Sequence, residues 1–326
     1  MLKKIHRYSH RCYRVLDRLF CPSSYSFAAI IMLHRIGKPN PMRLEMNEHL
    51  KIDPIDLERF IIQAKDYGYK FVSIDELSDR INNRRCHRKL IAITLDDGYI
   101  DNLELGLPLF EKHNVPFCIY VATGFVEKEL IYWWNILEDL IQSNETLILG
   151  NGESYDCSTK LAKEQSFLAI REWILKQPQG NLRDTLSTLF KGYDVDLGKY
   201  KDTEALTWEQ IKTLLKNPLC TIGCHTHSHK SFTGCSDKEI VEDIQKAESL
   251  FEKRIGQKPR HFAFPYGDDC AVNTHHEELL HDLGYVTVAT THESFIDVHT
   301  DPLRLPRIFM DSKIWKYILS EIKREL

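Results

Sequence analysis

Two adjacent carboxylates end an apolar run in the first half of the chain. Asp96 and Asp97 lie in residues 94–99 (TLDDGY), at the end of the predicted strand 90–95. Neighbouring side chains at the end of a strand point in different directions. One carboxylate can therefore bind a metal ion while the other takes a proton. An Asp-Gly pair is also a common turn, so this motif alone fits either a site or a turn.

Three histidines occur within five residues in 223–229 (GCHTHSH), behind a second predicted strand. His225 and His229 are four residues apart, so on a helical turn both imidazoles would face one way and could share a metal ion. His227 lies between them and should point elsewhere. This clustering indicates a metal site.

A third motif, residues 262–267 (FAFPYG), follows another predicted strand. Its Pro-Tyr-Gly turn would present backbone N–H groups and an aromatic wall at the end of that strand. Proline and glycine at these positions also suit an ordinary turn.

Composition narrows the class of protein. The 326 residues are 43% hydrophobic and 28% charged, with a formal net charge of −4. These values are typical of a globular protein and not of a nucleic-acid binder. The nine cysteines are odd in number and include no Cys-x2-Cys pair, which predicts reduced thiols, a cytoplasmic location and no cysteine-rich zinc site.

The first 22 residues predict a basic amphipathic helix. One face is mainly apolar, six lysines and arginines occupy the rest, and no apolar core of a secretory signal follows them. Such a helix could contact the anionic inner membrane surface. The alternative is a helix packed on the protein with a solvated basic face.

Alternating strands and helices must position the three motifs. Apolar runs at 27–34, 90–95, 115–122, 221–224, 261–264 and 286–289 predict parallel strands, with helical patterns between them. This rhythm favours an α/β barrel over an open sheet. Residues from about 133 to 203 interrupt it, which predicts a helical insertion into a barrel that spans residues 23–326.

The three motifs, each at a strand end, resemble those of the polysaccharide deacetylase family, carbohydrate esterase family 4. Residues 94–98 match its Thr-Phe-Asp-Asp-Gly motif, with Leu95 in place of the Phe. His225, Thr226 and His229 match its His-Ser/Thr-x-x-His motif. The resemblance spans roughly residues 28–309 and implies a distorted (β/α)7 barrel with a helical insertion.

The resemblance also implies roles for the site residues. Asp96 would be the general base, while Asp97, His225 and His229 would hold a divalent metal ion. Zinc is the expected ion, although cobalt, nickel and iron also suit these ligands. The backbone N–H of Tyr266 would stabilise the oxyanion. The implied reaction is hydrolysis of the N-acetyl group of an amino sugar by metal-activated water.

The chain departs from the family pattern in two places. The family has an arginine two residues before the proline of the third motif, where this chain has Ala263. We expect Arg307, on a late predicted strand, to orient Asp96 instead. The motif that carries the general acid is also not recognisable, and His34 is the first candidate for this role, ahead of His292 and His299.

Two other functions are compatible with parts of the pattern. A non-haem iron oxygenase also uses two histidines and a carboxylate, but there the carboxylate usually lies close to the first histidine. A non-catalytic carbohydrate-binding barrel would account for the missing motifs. For the deacetylase we expect an N-acetylated sugar as substrate, in a polysaccharide or linked to a nucleotide or lipid carrier, and no nucleic-acid partner.

Overall fold

The computed structural model describes residues 26–83, 89–268 and 271–326, so the predicted helix over residues 1–22 lies outside the described residues. Seven parallel strands form the centre of the protein. They are β1 (Ala28–Leu33), β2 (Leu90–Leu95), β3 (Phe117–Val121), β4 (Cys220–Cys224), β5 (His261–Ala263), β6 (Thr287–Ala289) and β7 (Ile308–Phe309).

The strands follow one another around the sheet in chain order, and the last one returns to the first. Each strand from β1 to β5 pairs with the next, and β7 pairs with β1 through Ile31 and Ile308. Leu305, just before β7, bridges Ala289 at the end of β6. The sheet therefore closes as a (β/α)7 barrel. The predicted fold class is confirmed, and the distortion lies at β7, which has only two residues.

Alternation along the strands separates the inside of the barrel from its outside. In β2, Ile91, Ile93 and Leu95 belong to the large apolar cluster under the surrounding helices. Leu90 and Ala92 belong instead to a smaller inner cluster that is rich in alanine. Because side chains alternate with a period of two, the inward series continues through Thr94 to Asp96.

Helices cover the outside of the barrel, which is why its parallel strands are buried on both faces. They are Pro54–Asp66, Ile74–Asn82, Leu107–Lys112, Trp208–Leu215, Asp237–Ile255, Thr274–Asp282 and Trp315–Glu325. Shorter helices lie at Glu45–Glu48 and Thr123–Val126, and small strands at Arg35–Ile36, Lys51–Ile52 and Lys70–Phe71. Local sequence sets their ends: Ser236 and Glu239 form a capping box, and Gly256 ends the same helix in the left-handed conformation.

The segment between β3 and β4 carries helices of its own. They are Trp133–Ser143, Lys160–Leu175 and Leu182–Leu189, with a hairpin of Thr146–Ile148 and Ser154–Asp156. Their apolar side chains form a cluster separate from that of the barrel, with Phe167 and Ile170 fully buried in it. Across the described ranges, no helix has the length and apolarity that a membrane span requires.

The close contact between β3 and β4 gives a test of the barrel interior. A Cβ added to Gly223 would lie 2.4 Å from Cδ1 of Tyr120 and 3.1 Å from the carbonyl oxygen of His261. Tyr120 is fully buried and cannot move aside without disturbing the interior. We expect Gly223→Ala to lower the free energy of unfolding by about 1–3 kcal/mol in urea titrations.

Gly37→Ala is the matched control, because nothing lies within 4 Å of the Cβ it would add. Its change should stay within about 0.5 kcal/mol. Equal effects of the two substitutions would contradict the proposed packing.

Candidate functional site

The residues that the sequence motifs single out meet at the carboxyl end of the barrel strands. His34 follows β1, Asp96 and Asp97 follow β2, and His225 follows β4. Tyr266 comes three residues after β5. In TIM-barrel enzymes the active site lies at this same end of the parallel barrel.

Asp97, His225 and His229 face a common point. The Oδ1 atom of Asp97 lies 3.4 Å from Nε2 of His225 and 3.1 Å from Nε2 of His229. Among the described residues, this buried carboxylate oxygen has no hydrogen-bond partner. Burial opposes the charge of Asp97, yet the two histidines hold its pKa well below the usual value. One carboxylate and two imidazoles at such distances fit a divalent metal ion.

A hydrogen bond at Nδ1 fixes the ring orientation of His225. Its Nδ1 donates a hydrogen bond of 2.7 Å to the carbonyl oxygen of Ala263 in β5. The lone pair of the imidazole is then on Nε2, the atom that faces Asp97. Metal-binding histidines are commonly oriented by such a contact.

The prediction that a helical turn aligns His225 and His229 is wrong. The two residues lie in an irregular loop, with Thr226 at a φ of 67° and His229 at a φ of 51°. The Oγ1 of Thr226 accepts a hydrogen bond of 2.9 Å from the N–H of His229, which tightens the loop. Non-glycine residues at positive φ are uncommon and cluster at functional sites.

His227 points away from this group and stabilises the loop. Its Nδ1 lies 2.9 Å from Oγ1 of Thr123, and its Nε2 lies 3.0 Å from a carboxylate oxygen of Glu129. Its backbone N–H donates to Asp243 on the neighbouring helix. Both ring nitrogens are thus engaged outside the Asp97 cluster.

Asp96 forms a buried, bidentate ion pair with Arg307. Two guanidinium nitrogens of Arg307 donate to the two carboxylate oxygens, each at 2.7 Å. Arg307 is 0% exposed, and its Nε donates to the carbonyl oxygen of Thr290 at 2.9 Å. Burial alone would raise the pKa of Asp96, but Arg307 and His225 lower it below the usual value. The carboxylate is therefore ionised and held in one orientation.

Tyr266 lies beside the histidines with its backbone in the left-handed region. Its φ is 63°, and its ring centroid is 5.1 Å from that of His229. Among the described residues, no acceptor is found for the backbone N–H of Tyr266. That N–H is free to donate to a ligand.

The three candidate general acids occupy different places. His34 is next to the carboxylates: burial lowers its pKa, while Asp96 and Asp97 act in the opposite direction. Its Nδ1 is buried without a partner among the described residues. His292 is exposed, and its carbonyl oxygen accepts the N–H of Arg307. His299 comes three residues after Ile296, which bridges the amino end of β1, so it lies away from the cluster.

Comparison with known proteins identifies the family. The family model for polysaccharide deacetylase matches residues 83–288, which is more than half of the chain. The chain belongs to the polysaccharide deacetylase family. It is therefore a carbohydrate N-deacetylase, a hydrolase of amide bonds, which sets aside the oxygenase and the non-catalytic barrel. No curated protein matches it in sequence.

Solved structures share the fold of this deacetylase. The Streptococcus pyogenes deacetylase PplD, solved with acetate, is 17% identical with a TM-score of 0.60, covering 92% of this chain and 99% of its own. IcaB from Ammonifex degensii is also 17% identical with a TM-score of 0.60, covering 91% and 97%. A de-N-acetylase from Aggregatibacter actinomycetemcomitans is 15% identical with a TM-score of 0.54, covering 88% and 95%.

This deacetylase also has an aromatic wall that the sequence motifs do not predict. The rings of Phe125 and Trp134 lie 5.8 Å and 6.5 Å from that of His229. Tyr132 stacks on Phe125 at 4.7 Å. The adjacent tryptophans at 133 and 134, at the start of the predicted insertion, were the available signal. Their helical spacing alone does not show that they face the site.

The geometry gives a test of which residues could hold a metal ion. We expect His225→Ala and His229→Ala to reduce the bound metal far below one ion per chain, because each removes one of three protein ligands. Metal content would be measured by mass spectrometry after desalting. His227→Gln is the matched control from the same loop and should keep the ion. A full complement of metal in either alanine variant would contradict this assignment.

Proposed function

We propose that this deacetylase removes the N-acetyl group of an amino sugar, in a glycan or a glycan precursor, by metal-dependent hydrolysis. The observation that carries the proposal is the cluster of Asp97, His225 and His229 next to Asp96. Of the two adjacent carboxylates, only Asp96 forms an ion pair with Arg307. A divalent ion on the first three residues would act as Lewis acid for the amide carbonyl and the attacking water.

Asp96 is suited to the role of general base. Each of its oxygens accepts one hydrogen bond from Arg307 and keeps a second lone pair, which can take a proton from the attacking water. Arg307 favours the ionised form and fixes its direction. Water adds to the amide carbon, the C–N bond breaks, and the products are acetate and a free amine.

Tyr266 would stabilise the oxyanion, and His34 would protonate the leaving amine. The unpaired N–H of Tyr266 would donate to the oxygen that becomes negative when water adds. His34 would give a proton to the leaving amine. Because burial lowers its pKa, the imidazolium of His34 would release this proton readily.

The proposal includes the finer identity of ion, substrate and location. We take the ion to be zinc, and the sugar to be part of a polysaccharide or linked to a nucleotide or lipid carrier. The protein would act in the cytoplasm. Residues 1–22, with their six basic side chains, would either contact the anionic inner membrane surface or pack on the protein with a solvated basic face. The reaction is tested by measuring the release of acetate from N-acetylated amino sugars, with and without a chelator.

The division of labour between the two carboxylates is testable. Asp96→Asn should keep the metal ion but lower the turnover rate by about 10²–10⁴-fold, the usual contribution of a general base. Asp97→Asn should lose the ion as well as the activity. Metal content and acetate release would be measured on the same preparations. A comparable loss of metal in both variants would overturn the separate roles.

The role of His34 can be separated from a structural one by changing the leaving group. An alkyl amine must be protonated as it leaves, whereas an aryl amine such as nitroaniline leaves without full protonation. His34→Gln should therefore lower the rate for an N-acetyl sugar by about 10²-fold or more, and much less for an activated N-acetyl anilide. An equal loss with both compounds would contradict proton donation by His34.

A further inference from the structure

A cavity of about 260 Å³ opens beside His229 and Tyr266. It lies between the histidine loop and the helical segment that joins β3 to β4. Its apolar wall consists of Phe125, Leu130, Ile131, Trp133, Trp134 and Leu182. A substrate whose amide reached the Asp97 cluster would extend into this space.

Two cations that line this cavity, Arg183 and Lys230, have no ion-pair partner among the described residues. Arg183 is exposed, whereas Lys230 is only partly exposed, so water screens the charge of Lys230 incompletely.

The acidic groups nearby are already engaged. Glu129 binds the ammonium group of Lys246 at 2.7 Å and the imidazole of His227 at 3.0 Å. Asp243 accepts the backbone N–H groups of His227 and Ser228. Glu239 is close enough to Lys230 for their charges to interact, but its carboxylate accepts the hydroxyl and the backbone N–H of Ser236. Among the described residues, Arg183 and Lys230 therefore lie at the cavity without an ion pair.

A second cavity on the same end of the barrel provides a contrast. It has about 220 Å³ and is also lined by Trp134. Its cations are all paired: Arg35 with Asp101 and Glu204, Arg43 with Glu138 and Asp139, and Lys51 with Glu48. Of these two cavities, only the one beside His229 is lined by cations that have no ion pair among the described residues.

We propose that this cavity binds an anionic oxygen group of the substrate, so that the preferred substrate is an N-acetylated amino sugar that also carries a phosphate or a carboxylate. This inference rests on the proposed function. Arg183 and Lys230 supply hydrogen-bond donors and charge, as oxyanion recognition requires. Trp134 and Phe125 offer flat apolar surface to the sugar ring between the anion and the amide.

The test compares three probes on the metal-loaded full-length protein. They are methyl N-acetylglucosaminide, which is neutral, N-acetylglucosamine 1-phosphate, and methyl N-acetylglucosaminuronide, which carries a carboxylate. Binding would be measured by calorimetry on the Asp96→Asn variant, so that turnover does not interfere. We expect at least one anionic probe to bind about tenfold more tightly than the neutral one, with a preference that shrinks as salt increases.

Variants assign the preference to the cavity. The double substitution Arg183→Gln, Lys230→Gln should abolish the difference between the anionic and neutral probes. Lys191→Gln is the matched control, because Lys191 is an exposed cation of the same helical segment that does not line the cavity. It should keep the difference.

The outcomes separate this inference from the proposed function. Equal binding of all three probes, or a preference that survives the double substitution, would overturn the anion site. Acetate release from a probe by the unmodified protein tests the deacetylation itself. If an anionic preference is lost in the double variant but no acetate is released, the anion site stands and the proposed function fails. The relative affinity of the two anionic probes distinguishes phosphate from carboxylate.

Discussion

The ion pair between Asp96 and Arg307 is the constraint on which the site depends. Two charges removed from water at the centre of a barrel are stable only if their geometry and remaining hydrogen bonds are satisfied. Here both carboxylate oxygens bind the guanidinium, and the carbonyl oxygen of Thr290 accepts the Nε proton. The ring of Tyr120 lies 5.6 Å from the guanidinium carbon. The narrow, alanine-rich interior provides the room that the long side chain of Arg307 occupies.

The same pair joins the strands at the point where the barrel closes. Asp96 follows β2, Arg307 precedes β7, and Thr290 follows β6. Strand β7 contributes only two residues to the sheet, and the bridge to Ala289 of β6 is made by Leu305, which precedes the strand. The guanidinium thus connects three strands across the closure. One ion pair therefore both orients Asp96, the proposed base, and links the strands at which the barrel closes.

Sequence could predict most of this site because strand ends converge. Motifs after parallel strands meet at one end of a barrel, so the sequence predicts that Asp96, Asp97 and His225 lie close together. The sequence also predicts that Arg307 approaches Asp96, because a buried carboxylate that lacks the family arginine needs another cation. Spacing could not predict the path of the histidine loop, since its positive φ values at Thr226 and His229 depend on tertiary contacts. The aromatic wall was missed for a related reason: Trp134 reaches His229 only through the packing of the inserted helices.

The separate apolar cluster of the helices between β3 and β4 has an evolutionary consequence. The residues proposed for chemistry stand on barrel strands, whereas Trp134, Leu182 and Arg183 stand on those helices. Surface substitutions in this segment alter the lining of the cavity without disturbing the ion pair or the strand ends. Selection for a new glycan can therefore act on one part of the chain while the hydrolytic groups remain unchanged. Within such a lineage, substrate preference would diverge faster than reaction type.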